Sequence, residues 1–146
     1  MKNDLDILND AELLFTNKYM NIFFDSKNEV LFCITNIDFV PEEDFRLIFE
    51  RVAQEIDKKN IKKVIFDKRT LKIFDQPSMV WYHIIWKVAV KAKNGMVTYR
   101  KLLPNDADFR LSVEIGKKHL QLMDASFSFA DFDIQYVDNL EDALAK

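Results

Sequence analysis

Along this chain, short stretches of dense or alternating apolar residues repeatedly give way to longer ones whose apolar positions recur every three or four residues. These are the two periodicities of strands and helices. Residues 12–16 form a first short run. Residues 19–24 and 30–35 are β-rich runs divided by the polar Asp25-Ser26-Lys27-Asn28-Glu29, which reads as a hairpin. A helix is predicted to open at Pro41, where Glu42, Glu43 and Asp44 complement the positive end of its dipole. Phe45, Ile48, Phe49, Val52 and Ile56 give it one buried face, and Lys58, Lys59, Lys62 and Lys63 close it. The run at 63–67, apolar at Val64-Ile65-Phe66, suits a strand covered on both faces. A helix over 76–93 then opens at Asp75-Gln76-Pro77, and a strand over 96–102 stops at Pro104. Asn105 or Asp106 caps a helix running to about Leu122, with Phe109, Val113, Leu120 and Met123 on its buried side. Residues 132–137 read as a last strand, Asn139 caps a terminal helix holding Leu140, Ala143 and Leu144, and 124–131 are left unassigned.

Strands alternating with helices require parallel crossovers. The expected fold class is therefore α/β, a mixed and mostly parallel sheet with an N-terminal antiparallel hairpin and about four helices. The length of 146 residues suits one domain, placed at 12–146 behind an N-terminal extension at 1–11.

The helix over 76–93 carries the strongest functional signal. At about 100° per residue, Trp81, Ile84, Ile85, Val88 and Ala92 fall together and suit the sheet. Met79, Tyr82, Trp86 and Val90 gather on a second side, and His83, Lys87 and Lys91 form a narrow wet strip. A surface helix needs only one apolar stripe, so the second must be covered. Two explanations stand open. Either the helix is sandwiched within the monomer, or Met79, Trp81, Tyr82, Trp86 and Val90 form a partner surface, most simply that of a homodimer.

Composition narrows the function classes. A net charge of −3 argues against a general nucleic-acid binder. The single cysteine, Cys33, lies among apolar residues and reads as a buried inert thiol. Two glycines, Gly95 and Gly116, exclude a phosphate-cradling glycine loop. The acidic start, with Asp4, Asp6 and Asp10, is unlike a signal or transit peptide, and no apolar run approaches the length of a membrane span. A cytoplasmic location is expected.

Candidate chemistry is sparse. The turn after the central strand collects Lys68, Arg69 and Thr70, Asp75 opens the next helix, and Arg100 and Lys101 end a neighbouring strand. Such cations near a helix start could hold a small anionic or lipid-like ligand; ordinary solvated loop charge is the competing explanation. His83 and His119 lie on different helices without a paired ligand spacing, and the serines lack the glycines of a nucleophile elbow. Asp67 and Asp75 are better explained as a strand end and a helix cap than as an acid/base pair. No enzyme, metal or cofactor is expected from this inventory.

The order of elements across about 19–145 resembles that of the STAS superfamily of anti-sigma-factor antagonists and its uncharacterised bacterial relatives. The residues carrying the likeness are Val64-Ile65-Phe66-Asp67, the loop to Phe74-Asp75, the helix opening at Asp75, Ile134-Gln135-Tyr136-Val137 and Asp138-Asn139-Leu140-Glu141-Asp142-Ala143-Leu144. The resemblance implies a non-enzymatic regulatory or protein-interaction domain. In the antagonists a serine that follows the loop aspartate is phosphorylated. Aligned on Asp75 that position is Gln76, which cannot accept phosphate, and Ser78 stands two positions later. The resemblance thus implies partner or ligand binding without the phospho-switch.

Overall fold

The computed structural model describes residues 3–146. Its frame is a six-stranded sheet in the order β1-β2-β3-β4-β5-β6. The strands are β1 (Glu12–Thr16), β2 (Met20–Asp25), β3 (Val30–Thr35), β4 (Lys63–Asp67), β5 (Thr98–Leu102) and β6 (Asp133–Tyr136). β1, β2 and β3 pair antiparallel, whereas β3, β4, β5 and β6 pair parallel. The predicted mixed α/β class is the observed one.

Each turn has a local cause. Asp25 closes the β2–β3 hairpin by accepting from the Asn28 backbone N–H at 3.1 Å and its side-chain amide at 2.6 Å. Helix α2 (Glu42–Lys59) ends on Asn60 in the left-handed conformation, which asparagine tolerates. The rod after β4 begins as α3 (Gln76–Val80), capped by Asp75, which accepts from the Ser78 N–H at 3.0 Å and the Ser78 hydroxyl at 2.7 Å. It continues through a π-helical turn (Trp81–Trp86) into α4 (Lys87–Asn94). Helix α5 (Ala107–Met123) is capped by Asp106 and α6 (Leu140–Ala145) by Asn139. Residues 124–131, unassigned from sequence, contain a 3-10 turn at Phe129–Asp131.

Two cores result. On one face, Leu31, Cys33, Val64, Phe66 and Tyr99 meet α2 and the α3–α4 rod. On the other, Val30, Phe32, Ile65 and Leu102 meet Ile7, Leu140 and Ala143. Strand alternation accounts for the split, since neighbouring residues point to opposite faces. Of the expected extension at 1–11, residues 1–2 lie outside the described residues, and Asp4–Asn9 form α1, whose buried Ile7 belongs to the second core. No helix among the described residues is long and apolar enough to cross a membrane.

The α3–α4 rod reverses the expected faces. Tyr82, Trp86 and Val90 are buried against the sheet, while Ile85 and Val88 are exposed. The sheet takes the aromatic stripe because α2 and β4 offer it matching rings. Phe49 packs 5.2 Å from Trp86, 5.3 Å from Tyr82 and 5.4 Å from Phe66. The Trp86 indole N–H also donates to the Phe49 carbonyl at 2.8 Å. Met123, expected inside, is exposed because α5 buries only Phe109 and Leu120.

Candidate functional site

The C-terminal ends of parallel strands in an open α/β sheet are where ligands are usually held. Here the ends of β4, β5 and β6 meet the rod and α5 around a cavity of about 40 Å³. Apolar walls come from Met79, Leu103, Phe109, Val113 and Leu120. The polar groups facing it are Lys68, Gln76, His83, Lys101, Lys117 and Tyr136.

Strand parity puts Lys101 there. Tyr99 and Lys101 share the face of β5 that meets the rod, with Lys101 in register beside Phe66 of β4 and Tyr136 of β6. Arg100 points the other way. It bonds to Asp133 at 3.0 Å and to the Lys146 carbonyl at 2.9 Å, so it binds strand to C-terminus rather than facing the cavity.

Three lysine nitrogens surround the buried Tyr82 ring. Lys101, Lys87 and Lys68 lie 4.6, 5.5 and 5.7 Å from its centroid. Lys87, 0% exposed, also stands 4.4 Å from the Phe132 ring. Lys117 of α5 lies 4.5 Å from the Tyr136 ring. None of Lys68, Lys87 and Lys101 forms an ion pair among the described residues. Glu114 reaches Lys117 at 3.4 Å from an exposed position. The Lys87 amine, the Tyr82 hydroxyl, His83 Nδ1 and the Gln76 amide nitrogen are buried without a hydrogen-bond partner.

Charge crowding and burial set the protonation states. Burial pushes Lys68 down to about 8. Burial, then the neighbouring Lys68 and Lys117, push Lys87 down to about 7. Lys101 is held well below the ordinary lysine range by burial first and by Lys68, Lys87 and Lys117 next. The same burial and cations keep His83 neutral, far below its usual range. For Lys117 burial opposes the charge, but Tyr136 and Glu114 outweigh it and raise the value. The cavity is thus rich in donors and poor in acceptors, and an anion is the complementary species.

The residues singled out from sequence divide sharply. Lys68 faces the cavity. Arg69 instead pairs with Asp67 and with Asp4, both at 2.7 Å, and these carboxylates hold its guanidinium above its ordinary range. The Thr70 hydroxyl donates to the Thr35 carbonyl at 2.8 Å, pinning the loop. Asp75 caps α3. Arg100 serves the opposite face. As for the expected contact surface, Tyr82, Trp86 and Val90 lie in the core, and only Met79 and Trp81 are half-buried. They are enclosed because the monomer sandwiches this side of the rod.

Gln76, His83, Lys117 and Tyr136, which line the cavity, and Lys87, which stands beside the Tyr82 ring, are what sequence reasoning missed. His83 and Lys87 looked like solvent-facing polar groups, yet both adjoin Tyr82 and Trp86 on the helical wheel. Had that aromatic stripe been set against the sheet, they would have followed it inward. Lys117 carried no such signal.

The chain matches no protein-family model, and no curated protein or solved structure is significantly similar to it.

Proposed function

We propose that this domain binds a small organic anion, a carboxylate or phosphate with a short apolar portion, in the cavity between the ends of β4–β6, the α3–α4 rod and α5. The observation that carries this reading is the convergence of Lys68, Lys101 and Lys117 on one apolar-walled space with no ion pair at Lys68 or Lys101 among the described residues. Lys68 is a half-buried cation without a counter-charge among the described residues, which is costly, and a ligand anion would offset that cost. The size fits a small ligand. About 40 Å³ corresponds to about three water positions at the usual 10–15 Å³ each. One wall is the contact between α5 and the start of α3. There Gly116 lies so close to the loop that a Cβ would stand 3.2 Å from Gln76 Oε1 and 3.6 Å from Phe74 Cζ.

Titration calorimetry with propionate and inorganic phosphate tests the reading. Lys68 and Lys87 are protonated below about 8 and about 7 respectively. Affinity should therefore rise as pH falls from 9 to 6.5, with net proton uptake on binding. Lys68→Met together with Lys117→Met should abolish binding. Heats unchanged by that double substitution, or affinity rising with pH, would refute the proposal.

A further inference from the structure

We infer that Lys101 is a nucleophilic amine that captures a small oxo acid as an imine, with the acid's carboxylate held by Lys68 and Lys117. This deepens the anion-binding reading and rests on it. Anion binding explains why cations line the cavity, but it does not explain why one of them is fixed on the sheet's framework and denied any acceptor.

Lys101 lies on β5, hydrogen-bonded between β4 and β6, so its backbone is held by the sheet rather than by a loop. Its side chain is 2% exposed, lines the cavity and forms no hydrogen bond or ion pair among the described residues. Above it lies the Tyr82 ring, and two further lysines flank that ring. An amine surrounded by apolar groups and beside another cation is kept as the free base, the form that attacks carbonyls.

The groups facing it are few. Lys68 comes from the β4 end, Tyr82, His83 and Lys87 from the rod, Lys117 from α5 and Tyr136 from β6. No carboxylate is among them, so only the Tyr82 and Phe66 rings, 4.6 and 5.9 Å away, favour its protonated form. Lys68 and Lys117 remain as cations for the ligand's carboxylate, while the apolar walls shelter the carbonyl carbon from water. A space of about three waters suits a short oxo acid and excludes a long-chain one.

The bond changes balance without an added co-reactant. The amine lone pair adds to the carbonyl carbon to form a carbinolamine. Its oxygen then departs as water, carrying both former amine hydrogens, and a C=N bond remains. No electron is gained or lost.

The test uses the intact chain with pyruvate and sodium cyanoborohydride near neutral pH, followed by peptide mapping by mass spectrometry. One reduced adduct per chain on Lys101 is expected. Lys101→Met should lose it. Lys87→Met should keep it but form it several-fold more slowly, because Lys101 would hold its proton more tightly. Adducts confined to exposed amines such as Lys18 and Lys27, or no adduct at all, would overturn the covalent step. If propionate still binds in that case, the anion site stands without the imine; if propionate also fails, both readings fall. The wild-type map decides the matter even if Lys101→Met does not fold.

Discussion

Lys87→Met should stabilise the protein, and the gain should shrink as pH rises. Lys87 is 0% exposed, its nitrogen has no hydrogen-bond partner, and burial with neighbouring cations depresses it from 10.5 to about 7. The sign follows from proton binding. Between about 7 and 10.5 the unfolded chain carries a proton on Lys87 that the folded protein lacks, so stability rises with pH across that window. Below about 7 both states are protonated and the full cost of burying the charge is present. At about 1.4 kcal/mol per pKa unit, the depression corresponds to a gross penalty of about 5 kcal/mol. Part of that is offset by rings near the charge, with Phe132 at 4.4 Å and Tyr82 and Phe129 at 5.5 Å. Methionine keeps the unbranched length and carries no charge. The expected gain at pH 6.5 is about 2–3 kcal/mol, falling by about 2 kcal/mol by pH 9. Urea unfolding of both proteins at four pH values between 6.5 and 9 measures this directly. Parallel stability–pH curves, or a variant less stable than wild type at pH 6.5, would refute the claim that this buried ammonium is uncompensated.

Two further outcomes test the frame around the site. Trp86→Phe removes the N–H that donates to the Phe49 carbonyl at 2.8 Å and should cost about 1–3 kcal/mol in urea unfolding; undiminished stability would show that this bond contributes nothing. Lys63 donates to the Ala143 and Leu144 carbonyls at 2.7 and 2.9 Å, so Lys63→Met should speed amide exchange in α6 about tenfold, and unchanged exchange there would deny the clamp.

The sheet was legible because its strands announce themselves by composition. Val64-Ile65-Phe66 has no polar interruption, and the polar block from Asp25 to Glu29 separates two β-rich runs that pair residue for residue. The α2 face was equally plain, since Phe45, Ile48, Phe49, Val52 and Ile56 form a single stripe and all are buried. The α3–α4 rod was not, because it has two apolar stripes and periodicity alone does not say which one the sheet will take. Ring partners on α2 and β4 decide that, and they belong to distant segments. The site was largely hidden for the same reason. Lys68, Lys87, Lys101 and Lys117 come from four separate elements, and in sequence each resembles an ordinary surface lysine. Period-two alternation at Tyr99-Arg100-Lys101-Leu102 was the one local clue, separating the cavity-facing Lys101 from the outward-bonded Arg100.

The π-helical turn at Trp81–Trp86 has an evolutionary corollary. Such a turn carries one residue more than the α-helix it interrupts. It places Tyr82 and Trp86 nearly one above the other, their rings stacked at 5.4 Å. Substitution can alter the individual rings, but only a change in chain length could erase the turn. Excising the surplus residue there would restore an unbroken α-helix, with Lys87 and Val90 still turned to the sheet and only the rings within the turn rearranged. The face that carries Lys87 is therefore set by the α-helices on either side of the turn, and any descendant of this chain that keeps the lysine cluster should keep their register.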